Sequence, residues 1–223
     1  MKERALVTGA TGGLGQELCK NLIAMGMEVY GTGRSKEKLA ILNSMGVKTI
    51  SADLTDQNSI EKIIEFIPDV DCLINNAGIF PIKNLDKSSI EDYDKTFEVN
   101  VRAPYRLMSY YMSKMKKRKK GNVVNILSSS AFSGSPDTGL YCASKHALLG
   151  LTRSAFLETR GSGVNVFSVS PGSMMTTMGA TDKRQDYSTF IDPKEVADFI
   201  VFALKSGGSV VYDEVRMNRT VIR

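Results

Sequence analysis

The chain has 223 residues, 42 % of them hydrophobic, with 29 Lys and Arg against 24 Asp and Glu. That length suits one large domain with a sizeable core, and no apolar run approaches the ~20 residues of a membrane span. Three scattered cysteines (Cys19, Cys72, Cys142) and a single histidine, His146, argue against a disulfide framework, a zinc site and Ser-His-Asp chemistry.

The net charge of +5 sits in one run, formed by Lys114, Lys116, Lys117, Arg118, Lys119 and Lys120; taking those six away leaves −1. The run closes a long helical stretch just before Gly121, where cations complement the helix dipole. It reads as a solvated helix end, and no nucleic acid is expected; docking of an acidic carrier protein is the alternative. Met1 to Arg4 lead straight into apolar residues with no cleavable stretch, so a reducing, cytoplasmic setting is expected and no membrane attachment.

Short apolar runs alternate with longer periodic ones along the whole chain. The first strand, 5–8, runs into Thr8-Gly9-Ala10-Thr11-Gly12-Gly13-Leu14-Gly15, and a helix follows with Leu14, Leu18, Leu22 and Ile23 on one face. Glycines between a first strand and a first helix let a pyrophosphate approach the helix amides. The second strand, 28–32, ends in Gly31-Thr32-Gly33-Arg34-Ser35. No carboxylate stands there to hold a ribose 2′-hydroxyl, while Arg34 is placed to meet a 2′-phosphate, which favours NADP(H) over NAD(H).

A helix at 35–45 and a third strand, 47–52, precede Asp53-Leu54; a helix at 58–66 and a fourth strand, 70–75, precede Asn76-Ala77-Gly78. Small and amide residues at a strand end suit close contact with a nucleotide, or simple turn capping. One long helical stretch covers 89–115. The fifth strand, 122–127, ends in Ser128-Ser129-Ser130, and a helix at 141–159 opens with Tyr141-Cys142-Ala143-Ser144-Lys145. A sixth strand, 165–169, a helix capped by Asp192-Pro193-Lys194-Glu195, with the glutamate reaching back, and a seventh strand, 210–215, complete the alternation. Strict alternation implies right-handed crossovers, a parallel sheet with helices on both faces, and a three-layer α/β doubly wound domain.

On a helix, Tyr141 and Lys145 share a face, and an ammonium beside a phenol favours the phenolate, tuning a tyrosine toward proton transfer near pH 7. The spacing alone is weak, because Tyr110 and Lys114 repeat it. Only the Tyr141 copy has a hydroxyl, Ser128, thirteen residues upstream at a strand end; the twin has Phe97 there.

These residues together resemble the short-chain dehydrogenase/reductase superfamily in its compact single-domain form, a Rossmann fold, over essentially the whole chain, 1–223. The resemblance rests on Thr-Gly-x-x-x-Gly-x-Gly at 8–15, Asp53, Asn-Asn-Ala-Gly at 75–78, Asn100, Ser128, Tyr141-x-x-x-Lys145, and Pro171-Gly172 with Thr176. It implies that Tyr141 is general acid in reduction and base in oxidation. Lys145 would tune Tyr141 and bind the nicotinamide ribose, Ser128 would orient the substrate oxygen, and Asn100 would anchor a water. Gly9, Thr11, Gly13, Leu14 and Gly15 would cradle the cofactor, Asp53 and Leu54 its adenine end. Asn76, Ala77 and Gly78 would line it, and Pro171, Gly172 and Thr176 would hold its carboxamide end.

The style is that of reductases of 3-oxoacyl thioesters, so the expected partner is a small carbonyl substrate, free or carrier-linked. A dehydrogenase of a small hydroxy acid or alcohol and a silent nucleotide-binding regulator are the rivals. Relatives carry a mobile substrate lid at 173–191, short here and rich in Met174, Met175 and Met178, and assemble as homodimers or homotetramers. Residues 216–223 read as a polar tail.

Overall fold

The computed structural model describes residues 2–206 and 210–221. Seven strands, β1 (Arg4–Val7), β2 (Glu28–Gly33), β3 (Lys48–Ser51), β4 (Cys72–Asn75), β5 (Gly121–Ile126), β6 (Val164–Pro171) and β7 (Glu214–Met217), form one sheet of order β3-β2-β1-β4-β5-β6-β7. Every pairing is parallel. The helices are α1 (Gly13–Ala24), α2 (Lys36–Ser44), α3 (Gln57–Phe66), α4 (Ile90–Phe97), α5 (Ala103–Arg118), α6 (Gly139–Thr159) and α7 (Pro193–Lys205).

Strand residues alternate between two cores, as a period of two requires. Leu6, Leu73, Val123 and Val166 face α3, α5 and α6. Ala5, Val7, Cys72, Ile74, Val124 and Phe167 face α1, α2 and α7. The expected three-layer doubly wound α/β architecture is therefore the one observed. β1 lies between β2 and β4, so the winding direction reverses at the C-terminal ends of β1 and β4, where such sheets bind ligands.

The long stretch at 89–115 is three elements. A capping box between Ser89 and Asp92 starts α4, and a single π-helical turn, Glu98–Arg102, joins it to α5. Asn100 sits in that turn. At α7, Asp192 caps as expected through the Lys194 amide, but the Glu195 side chain is not among the bonds made to the cap.

The last strand begins later than its apolar run suggested. Val210 and Val211 are exposed, and pairing with β6 starts at Glu214, a register that sets Tyr212, Val215 and Met217 against the second core. The stretch 216–223 is likewise more than a polar tail. Arg216 and Met217 belong to β7, Arg216 stacks on the Phe132 ring, and Arg219 bonds Thr189; Ile222 and Arg223 lie outside the described residues.

Half of the basic run is turned onto the protein's own carboxylates. Arg118 pairs with Asp69 and Asp71, Lys116 with Glu158, and Lys120 with Glu3. Pairs this exposed contribute at most about 1 kcal/mol each.

Leu73, with no exposed surface on a central strand, tests the packing against Ile41, which is 56 % exposed on α2. Leu73→Ala is expected to cost about 3 kcal/mol and Ile41→Ala less than about 0.5 kcal/mol. Urea unfolding checks this, and equal costs would contradict it.

Candidate active site

The C-terminal ends of β1, β2, β3, β4 and β5 open into one cleft of about 380 Å³. Its floor depends on backbones coming close. Gly9 sits at φ 63°, and a Cβ there would lie 2.8 Å from Ala77 Cα; a Cβ on Gly13 would meet Thr176 at 2.9 Å. Thr8 fastens the same turns, its hydroxyl accepting from the Asn76 and Ala77 amides, while the Asn76 side chain donates to the Thr8 and Gly9 carbonyls. α1 starts on Gly12 with no side-chain cap. Its first amides therefore face the cleft without a partner from a cap, an arrangement suited to an anion.

At the β2 end, Arg34 and Lys38 both line the cleft. Ser35 caps α2 through the Lys38 amide, placing Lys38 in the first helical turn, four residues after Arg34. Both side chains are exposed, and neither is paired with a carboxylate among the described residues. Asp53 also lines the cleft. The Thr55 amide and hydroxyl hold its carboxyl below the usual range against a burial penalty, and Arg34 and Lys95 add to that.

Tyr141 (8 % exposed) and Lys145 (4 % exposed) lie on one face of α6 and reach the cleft together. The Lys145 ammonium donates to the Ile126 carbonyl at 2.9 Å and sits 5.7 Å from the Tyr141 ring centroid. Burial draws its pKa down to about 8. The phenol is not tuned toward neutrality as expected: burial pushes it up to about 12, and the Ser128 hydroxyl pulls only partly the other way. The cause is geometric. The ammonium points to the Ile126 carbonyl at the end of β5, and burial of the phenol outweighs the one hydrogen bond, from Ser128, that favours its charged form. The Phe80 ring stands edge-on to Tyr141 at 4.7 Å.

Asn100 is fully buried behind the cleft wall. Its amide nitrogen donates to the Ile79 carbonyl and the Ser144 hydroxyl, and its oxygen accepts from the Ile79 amide. The Ser144 hydroxyl in turn donates to the Tyr141 carbonyl at 2.7 Å. In this structure the Asn100 side chain is a staple between the loop after β4 and α6.

Of the residues named from sequence, Gly9, Thr11, Gly13, Leu14, Gly15, Arg34, Asp53, Leu54, Asn76, Ala77, Gly78, Tyr141, Lys145 and Thr176 line the cleft. Ser128 is not among the lining residues, though its half-buried hydroxyl reaches Tyr141; Asn100 is buried behind the wall, and Pro171 and Gly172 fall outside the cleft. Pro171 ends β6, and the Gly172 amide donates to Met217. Sequence reasoning passed over Lys38, Phe80 and Ser144. The helical spacing of Lys38 from Arg34 was a usable signal; nothing local marked the other two.

A family model described as short chain dehydrogenase matches residues 3–187. The chain is 36 % identical over 176 residues to an uncharacterized oxidoreductase of Thermotoga maritima, covering 75 % of this chain and 70 % of that one. It is 30 % identical to a 3-oxoacyl-(acyl-carrier-protein) reductase of Rickettsia bellii, covering 94 % and 92 %. A solved structure described as a short chain dehydrogenase/reductase family protein superposes with a TM-score of 0.89 at 32 % identity, covering 97 % and 95 %.

The buried ammonium gives a pH test. A lysine whose folded pKa lies near 8, below its ordinary 10.5, binds its proton less tightly in the folded state than in the unfolded one. Folding therefore gains stability as pH rises between those values, by on the order of 3 kcal/mol in total. The unfolding free energy of wild type relative to Lys145→Met is expected to rise from pH 7.5 to pH 10 in denaturant titrations. A difference that does not move with pH would contradict the assignment.

Proposed function

The chain belongs to the short chain dehydrogenase family, and on that premise we propose that this NAD(P)-dependent oxidoreductase reduces a carbonyl to an alcohol with NADPH. The observation that carries the proposal is the convergence of a buried tyrosine and a buried lysine on a glycine-floored cleft. The cleft fits a dinucleotide. Its glycine turn leaves no room for a Cβ at Gly9 or Gly13, and the uncapped start of α1 offers amides to a pyrophosphate.

When bound, the reduced nicotinamide supplies a hydride; the protein supplies position and a proton. Tyr141 carries that proton. Burial raises its pKa well above 7, so the phenol is protonated at working pH and can act as general acid toward the carbonyl oxygen. Lys145 is the nearby cation that meets the negative charge left on the phenol, and it is held for that by Ile126. Ser128, half-buried at the end of β5, orients the carbonyl oxygen. Asn100 keeps the α6 face and the loop after β4 in register. Thr176, packed against Gly13, meets the carboxamide end. In the oxidative direction Tyr141 takes the proton back.

Arg34 and Lys38 support NADPH over NADH. Two exposed cations at the cleft's β2 end, neither paired with a carboxylate among the described residues, suit the double charge of a 2′-phosphate better than a neutral 2′-hydroxyl. A 3-oxoacyl thioester is the proposed substrate class. Support comes from the reductase of Rickettsia bellii and from the apolar flank that Phe80, Met174 and Met178 give the site. Lys116, Arg118 and Lys120 of the basic run are paired with the protein's own acids, and the run takes no part in the proposal.

Following NADPH oxidation across 3-oxoacyl thioesters, quinones, small aldehydes and ketones tests the reading. The thioesters are expected to react fastest, and no turnover on any of them would overturn it. For the cofactor, Arg34→Ala and Lys38→Ala should each weaken NADPH binding about tenfold, as loss of a charge-assisted hydrogen bond does. NADH binding should stay within about twofold; equal losses for both cofactors would refute the assignment.

A further inference from the structure

Asp137 is one of two non-glycine residues with positive φ, at 59°, among the described residues. It lies four residues before Tyr141, in the turn that leads into α6, and three separate loops meet on it. Its carbonyl accepts from the Lys83 amide at 2.5 Å, fixing the loop that follows β4. That loop carries Phe80 against the Tyr141 ring and seats Leu85 on Gly139, where a Cβ would lie 2.6 Å from the leucine side chain.

The Asp137 carboxylate accepts from Arg184 at 3.3 Å, and the same guanidinium nitrogen donates to the Pro136 carbonyl. Arg184 belongs to the segment 173–191. That segment leaves and rejoins the fold at one place, through bonds between Met175 and Ile191 and between Ile191 and Ser173. Within it, the other edge of the guanidinium grips Asp182 with two bonds at 2.8 and 3.0 Å; Asp182 also accepts from Gln185, and Gln185 from Ser173. The segment is thus braced internally as far as Arg184. Among the described residues, Arg184 alone hydrogen-bonds it to the turn before α6.

We propose that Asp137 is a positioning residue for the active site: it holds the loop after β4 against Tyr141 and, through Arg184, latches the segment 173–191 over the substrate side of the cleft. The latch rests on the reading of that segment as a substrate lid. Its strength is modest by design of exposure. The two side chains are 44 % and 37 % exposed, so the pair shifts an opening equilibrium by only a few-fold, which lets substrate enter while favouring closure. A left-handed backbone costs a non-glycine residue energy, and Asp137 tolerates it where its carbonyl and carboxylate are both engaged.

Trypsin reads the latch directly, because Lys183 and Arg184 are cleavage sites inside the segment. The full chain is digested as wild type, Asp137→Gly, Asp137→Asn, Arg184→Lys and the Asp137→Gly/Arg184→Lys double variant, with thermal midpoints measured in parallel. Glycine adopts φ 59° without strain, so Asp137→Gly should keep or raise the midpoint. Cleavage at Lys183 should nonetheless quicken about three- to fivefold. Arg184→Lys cannot serve both aspartates and should quicken it similarly, and the double variant should be no faster than the faster single. Asp137→Asn, which keeps an acceptor oxygen, should fall nearer wild type than Asp137→Gly. Cleavage of Asp137→Gly at the wild-type rate, equal rates for Gly and Asn, or effects that multiply in the double variant would overturn the latch. No turnover is needed, so an enzyme inert toward every carbonyl would sink the reductase reading and leave this result standing.

Discussion

The ammonium of a lysine only 4 % exposed cannot be left without a partner, and Lys145 finds one in the Ile126 carbonyl at the end of β5. That bond depends on the fold and organises it. Strand β5 must end where α6 passes, which the parallel sheet ensures by delivering strand C-termini to a common edge. Once Lys145 is fixed, Tyr141 is fixed one turn earlier on the same face, and Ser144 between them bonds both the Tyr141 carbonyl and Asn100. Asn100 then reaches the Ile79 backbone, so the wall of the cleft is set by the same chain of contacts.

Departures from ordinary local rules gather around this cleft. α1 begins without a side-chain cap. The first turn of α2 carries Lys36 and Lys38 beside a single acid, Glu37, although cations are disfavoured at a helix N-terminus. A π-helical turn interrupts the run from α4 to α5 at Asn100. Asp137 is left-handed, and a lysine is buried. Elsewhere, apart from the left-handed Lys119 that ends α5, the sequence behaves conventionally, with Ser89 and Asp192 capping their helices and two cores filled by alternating strand residues. Natural sequences carry such exceptions where function requires them.

The order of elements, the parallel sheet and the glycine turn were legible in the residues because they depend on periodicity and on a few backbone needs. Tyr110 marks the limit of that legibility. Lys114 sits 5.0 Å from its ring, much as Lys145 sits 5.7 Å from Tyr141, because both pairs obey the same helical spacing. Yet the Tyr110 hydroxyl merely donates to the Pro68 carbonyl near the surface. Spacing sets local geometry; burial, which sets the chemistry, comes from the rest of the chain. For the same reason the raised pKa of Tyr141 ran against expectation, and the start of β7 shifted from an apolar run to the register its neighbour offers. Asp137 gave no sign in the sequence, since its importance lies in loops 54 and 47 residues away along the chain.

The central claim is that Tyr141, and not its twin, delivers the proton. Steady-state NADPH oxidation with acetoacetyl-coenzyme A, measured on Tyr141→Phe and Tyr110→Phe with NADPH affinity determined alongside, tests it most directly. The account predicts that Tyr141→Phe loses at least about 10²-fold in turnover, the scale of a general acid's contribution, while binding NADPH within about twofold of wild type. Tyr110→Phe should match wild type in both. Wild-type turnover by Tyr141→Phe would contradict the account.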